Sequence, residues 1–168
     1  MSHIGEACVG EGVNAAHVNT ILGNRSGPVG TAWMTALATP SEGHASFVAC
    51  LQPNMAVKPP TLIVSKATTA TPRHQHLLWG AGQAGVAHGV LRAVAEGLVP
   101  RAEIEDFVLI CALWINPEAA DADLVYKNNA EATYLAIRNG QKGLPTVDDL
   151  LAARGHPINS YYQPSDAS

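Results

Sequence analysis

A single histidine stands in the alternating run "AAHVNTIL" (Ala15–Leu22), just before the turn "GNRSGPVG". Imidazole is the side chain whose unperturbed proton affinity lies nearest neutral pH, so His17 offers acid–base chemistry. The same run also reads as an ordinary strand that carries a structural histidine. Lys66 and Thr68 lie two residues apart at the end of the β-branched run "TLIVSKATT", so both point the same way. A lysine in that place can anchor an anion or a carbonyl, or it can be a solvated strand end. Gln83 sits in "GAGQAGVA", where small neighbours let a flat ligand approach its amide. The plainer reading is a polar helix residue facing water.

Two further patterns lack the context their chemistry needs. "GAGQAG" (Gly80–Gly85) matches G-x-G-x-x-G, but a dinucleotide fingerprint must follow a strand and open a helix. Here the glycines fall inside a helical pattern, and the acids Glu103 and Glu105 precede the next strand. His74 and His76 form H-x-H beside Arg73, yet only His88 is near in sequence and the cysteines are far apart. Zinc sites want further ligands at recognisable spacing, so these histidines read as surface or interface residues and no metal is expected.

The elements that must position these residues follow from periodicity. "HIGEACVG" and "AAHVNTIL" read as two strands separated by "EGVN". In the second, His17, Asn19 and Ile21 share one face. Pro28 suits the first turn of a short helix, "VGTAWMTALA", that ends before Pro40. "ASFVACLQP" reads as a buried strand, "NMAVKPP" as a loop because Pro59 and Pro60 cannot join a central ladder, and "TLIVSKATT" as another strand. "PRHQHLLWGAGQAGVAHGVLRAVAEGL" predicts one long helix, whose glycines are tolerated where another backbone or a ligand comes close. "DFVLICALWI" is the clearest strand, and "PEAADADLVYKNNAEATYLAIRNG" predicts a helix with Pro at its start and Gly at its end. A short helix, "TVDDLLAAR", lies in the tail. This order predicts an α+β fold: a two-layer sandwich with a mostly antiparallel sheet and helices on one face.

The 168 residues suit one domain, with no internal repeat and no linker. An apolar fraction of 47% against 14% charged residues is high for a soluble monomer and agrees with apolar surface buried between subunits. The ten basic residues are scattered and the net charge is −4, so no nucleic-acid footprint is expected. No apolar run is long enough for a membrane span, and the start "MSHIGEACVG" lacks the pattern of a signal peptide. Cys8, Cys50 and Cys111 are an odd number in apolar settings, which predicts reduced core thiols in a cytoplasmic protein.

Taken together, "GEACVGEGVNAAHVNTILGNRSGPVGTAW", "QPNMAVKPPTLIVSKAT", "WGAGQAGVAHGVLRAVAEGLVP" and "WINPEAADADLVYKNNAEATYLAI" resemble the formaldehyde-activating enzyme family. The resemblance covers about residues 5–140, and the tail after Gly143 looks unlike the family. That divides the chain into a family-like domain, 1–143, and a C-terminal extension of it, 144–168. The resemblance implies condensation of formaldehyde with tetrahydromethanopterin, as co-substrate, to methylene-tetrahydromethanopterin and water. It implies no metal and no tightly bound cofactor. It also implies a homopentamer with the pterin between neighbouring subunits, and a fold similar to the second domain of ribosomal protein S5.

The resemblance makes His17 the proton donor and assigns pterin contacts to Asn19, Val48, Lys66, Thr68 and Gln83. Three of those contacts match the family unchanged. The departures are Asn19, where the family usually has Asp, Val48, where it has Leu, and Ala84, where it has His. An Asp at 19 could favour the imidazolium of His17 on the same strand face; an Asn cannot do so by charge. Val48 is one methylene short, worth about 0.8 kcal/mol of apolar contact. These departures leave a second reading open: a non-catalytic paralogue that binds a pterin, formaldehyde or another small ligand as a sensor or carrier.

Overall fold

A computed structural model describes residues 2–69, 71–159 and 162. The chain opens with β1 (Ser2–Val9), a 3₁₀ turn at Gly12–Asn14 and β2 (Ala16–Asn24), an antiparallel pair in register along its whole length. Helix α1 (Pro28–Ala38) starts with its proline in the first turn, as the sequence predicts. Three short strands follow: β3 (Phe47–Val48), β4 (Cys50–Gln52) and β5 (Met55–Ala56), then β6 (Thr61–Ser65). Helix α2 (Pro72–His76) runs through a π-helical segment, Leu77–Gly82, into α3 (Gln83–Ala95). Strand β7 (Phe107–Trp114) leads to α4 (Ala122–Lys142) and α5 (Val147–Ala153).

The main sheet has the order β1-β2-β7-β6-β3. Among the described residues only the β6–β7 pair of the main sheet is parallel, so the fold is α+β with a mostly antiparallel sheet, as expected. Burial along β2 alternates strictly from Ala16 to Leu22. Its buried side, Ala16, Val18, Thr20 and Leu22, lies over the core with Leu109, Cys111 and Leu113 of β7 and Ile63 of β6. Helices α3 and α4 cover that side. Gly5 marks how closely: a Cβ there would stand 1.8 Å from the Ala136 carbonyl oxygen of α4. The helices meet each other the same way. Cβ atoms at Gly85 and Gly89 would stand 2.6 Å from Tyr126 O and 2.5 Å from Ala130 O. Gly85 and Gly89 are therefore spent on helix-to-helix contact, and Gly82 on contact with Ile115, where a Cβ would stand 2.7 Å from its Cδ1, so none of the three needs a phosphate to explain it.

Five expectations are corrected. The predicted strand 45–53 bends at the buried Ala49, so β3 joins the main sheet while β4 turns into a separate hairpin with β5. The predicted loop at 54–60 therefore contains a strand. Asn54 takes φ 65°, a conformation Asn tolerates in tight turns, and reverses the chain there, while Pro59 and Pro60 stay outside any strand, with Pro60 O accepting from Leu109 N at 3.0 Å. The predicted helix 72–98 is interrupted at Leu77–Gly82, and the helix predicted from Pro117 starts only at Ala122. Asn116 and Asn14 explain the late start: Asn116 Oδ1 accepts from Glu118 N, and Asn14 Oδ1 accepts from the Ala120 and Asp121 amides. Asp121 then caps the helix by accepting from Leu124 N.

The fifth correction concerns the faces. Helix α1 docks on the side opposite α3 and α4, because Gly23 has no side chain and a Cβ there would stand 2.5 Å from Val29 Cγ2. Val108, beside Gly23 across the ladder, is buried by it. The rest of that face is left open.

Candidate active site on the open sheet face

Register decides which side chains meet on the open face. One row across the sheet is Ile4, Ile21, Ile110, Leu62 and Val48. The next is Glu6, Asn19, Ala112 and Val64, and beyond it lie Cys8, His17 and Trp114. The Lys66 amide continues the parallel ladder by donating to Leu113 O, 2.9 Å away. Apart from Leu62, no residue of these rows is fully buried, and Ile4 is 71% exposed.

At the corner where β1 ends and β2 begins, polar groups converge. His17 Nε2 lies 3.0 Å from Glu6 Oε1. Cys8 Sγ donates to the same Glu6 oxygen at 3.5 Å. One row away, Lys66 Nζ donates to Asn19 Oδ1 at 2.8 Å. Partial burial, then the Glu6 carboxylate, holds the Cys8 thiol above its ordinary value, with Lys66 opposing. Burial pulls Lys66 below its ordinary value, against the attraction of Cys8, Cys111 and Glu6. Lys66 is therefore a half-buried cation whose nearest hydrogen-bond acceptor is an amide.

Of the six predicted residues, His17, Asn19 and Lys66 stand together, and Val48 lies on the same face beyond β7 and β6. Thr68 follows Lys66 but is tied to the loop after α1: its hydroxyl lies 3.0 Å from His44 Nε2, and His44 Nδ1 lies 3.0 Å from Ser65 O. Gln83 is bound within the chain. Its Oε1 accepts from Cys50 N at 3.2 Å and its Nε2 donates to Trp79 O at 2.8 Å, so it brackets the start of α3 to β4.

The structure changes the partner assignment. Asn19 turns its oxygen to Lys66, and the carboxylate beside His17 comes from Glu6 on the neighbouring strand. Sequence reasoning missed Glu6, Cys8 and His44. Alternation put Glu6 and Cys8 on one side of β1, but only the pairing of Cys8 with His17 brings that side to the histidine. His44 lies in a turn, where no periodicity marks it.

The remaining histidines go elsewhere. His74 is buried, against expectation, with Nε2 2.8 Å from Ile115 O, while His76 is exposed. His88 pairs with Tyr126 at 2.8 Å in a groove between α3 and α4, away from the open face. Cys8 is exposed and so is no core thiol; Cys111 is buried, which pushes its thiol up to about 12.

A model of the formaldehyde-activating enzyme (Fae) matches residues 4–161. The chain belongs to the formaldehyde-activating enzyme family. The match passes Gly143 and takes in α5. A 5,6,7,8-tetrahydromethanopterin hydro-lyase of Methanosarcina barkeri is 41% identical over 160 residues, covering 94% of this chain and 90% of that one. Bifunctional Fae/Hps enzymes are also similar: that of Archaeoglobus fulgidus is 40% identical and that of Methanothrix thermoacetophila 37%, each over 94% of this chain. The chain spans about 40% of the length of those bifunctional relatives. Among the described residues, no helix is long and apolar enough to cross a membrane.

Proposed function

We propose that this chain is a lyase that condenses formaldehyde with tetrahydromethanopterin to 5,10-methylene-tetrahydromethanopterin and water, with His17 as the proton donor. The observation that carries the reading is His17 on an open sheet face, its ring nitrogen against a carboxylate, in a chain of this family. The pterin N5 attacks formaldehyde and the carbinolamine forms. Hydroxide is a poor leaving group, so a proton from His17 releases it as water. The iminium left behind is closed by N10, whose lost proton restores the balance. Glu6 orients the imidazole and gives its protonated form a counter-charge. Holding the two reactants together supplies the remainder of the acceleration.

Lys66, Asn19 and Val48 line the same face and are read as pterin contacts. Thr68 and Gln83 complete that set, Gln83 by exchanging one of its internal bonds for the ligand. No tightly bound cofactor is required, since the pterin enters as substrate. The open row of Ile4, Ile21 and Ile110, with the exposed Met34 and Leu37 of α1, supports assembly with further copies of the chain, read here as a homopentamer with the pterin between subunits. The layered sheet and helices fit the fold of the second domain of ribosomal protein S5. The cytoplasm is the compartment this reading implies, and residues 144–168 are read as an extension of the domain formed by 1–143.

The test mixes purified protein, tetrahydromethanopterin and formaldehyde and follows methylene-pterin formation above the spontaneous rate. The His17→Ala chain should lose about a hundredfold or more of the catalysed rate. A variant as fast as the unaltered chain removes His17 from the mechanism. No acceleration by the unaltered protein would favour the carrier reading.

A further inference from the structure

Glu6, Cys8 and His17 bring a carboxylate oxygen, a sulfur and an imidazole nitrogen within 4.8 Å of one another. Two of the separations are 3.0 Å, between Glu6 and His17, and 3.5 Å, between Cys8 and Glu6. Zinc bonds of about 2.0–2.3 Å at tetrahedral angles set neighbouring ligand atoms roughly 3.3–3.6 Å apart. Those two separations are thus close to the edges of such a site, and the third lies within 4.8 Å. The strands that carry them are paired from Ser2–Gly23 to Val9–Ala16, so the ladder holds the donors in place.

We propose that Glu6, Cys8 and His17 form a binding site for a zinc-type divalent cation, with the fourth position open to solvent. The donor set selects the cation. Thiolate and imidazole suit zinc and its neighbours, while magnesium and calcium demand oxygen ligands. Glu6 and Cys8 are both exposed, so a cation enters directly from solvent. It would displace the thiol proton and occupy His17 Nε2, the nitrogen that lies against Glu6. The cation is not a cofactor of the proposed condensation. A histidine whose Nε2 is bound to metal has no proton there to give, so the metal-bound chain is the inactive one.

Metal binding is read without turnover, so this site and the proton-donor reading fail separately. The full chain, stripped with a chelator, is given zinc in competition with a chromophoric chelator, and cobalt(II) in a parallel titration. The unaltered chain should take up a single zinc ion and show a sulfur-to-cobalt charge-transfer band. Cys8→Ser and Cys8→Ala should lose that band and weaken zinc binding tenfold or more, since even outer-shell changes at metal sites cost about 10–100-fold. His17→Ala should weaken it likewise, and His76→Ala should leave it unchanged. Equal zinc affinity in the unaltered chain and Cys8→Ala, or no charge-transfer band with cobalt, overturns the site. Loss of binding in His76→Ala with retention in Cys8→Ala does so too, by placing the metal elsewhere.

Discussion

The reactive histidine has its partner on the next strand. His17 and Glu6 are diagonal neighbours across the β1–β2 pair, with side chains 41% and 57% exposed. Exposed pairs of this kind are worth at most about 1 kcal/mol, because water screens them and two side chains must be held in one geometry. Glu6→Gln keeps an acceptor for the ring and removes only the counter-charge. Its cost in rate should therefore stay within about fivefold, which is 1 kcal/mol expressed as a rate ratio. His17→Ala removes the proton itself and should cost far more in the same assay. If the two variants lose rate equally, the carboxylate is part of the proton transfer and not a support for it. By sequence alone, the departure at Asn19 deprives His17 of a charged neighbour on its own strand face. It matters less once Glu6 supplies the charge and Asn19 is seen to receive Lys66.

Contact between α3 and α4 rests on small residues and on polar ties. Gly89 lets α3 lie on α4; a Cβ there would meet Ala130 O at 2.5 Å and Thr133 Cβ at 2.8 Å. Gly89→Ala should destabilise the chain by about 1–3 kcal/mol, the usual cost of overpacking. A Cβ at Gly80, in the π-helical segment, would meet nothing within 4 Å. Gly80→Ala should stay within about 1 kcal/mol of the unaltered chain. Urea midpoints at unchanged slope measure both. One polar tie is Glu96, at the end of α3, which accepts from Tyr134 of α4 at 2.6 Å and pairs with Arg92 at 3.0 Å. The Tyr134 hydroxyl and then Arg92 hold the Glu96 carboxyl below its ordinary value. A carboxyl depressed in the folded state stabilises it above the unfolded value, and that contribution is lost as pH falls through the folded value. Tyr134→Phe shortens that window, so its acid unfolding should begin at a higher pH, as followed by circular dichroism.

For the whole molecule, the sheet has one face sealed by α3 and α4 and another that is apolar, open and carries His17. A chain with 47% apolar and 14% charged residues has few charges with which to cover such a face. Assembly as a ring of five copies predicts a mass in solution about five times the 17.6 kDa of one chain, measured by light scattering or sedimentation equilibrium. A monomer would contradict the proposed site between subunits as well as the ring.

Local pattern alone determined much of this protein. Alternation set which residues of β2 share a face with His17, proline at position 28 placed the start of α1, and the spacing of small and apolar residues marked α3. These are short-range consequences of backbone geometry, legible without a partner. The family motifs that contain His17 and Lys66 are likewise local in sequence. Register, bends and faces belonged to the tertiary structure. The bend at Ala49, the hairpin around Asn54 and the crossing of α1 to the far face depend on what packs where. So does the meeting of Glu6 and Cys8 with His17. Strand pairing is a contact between distant segments, and a shift of one residue would turn every side chain of β1 to the other face.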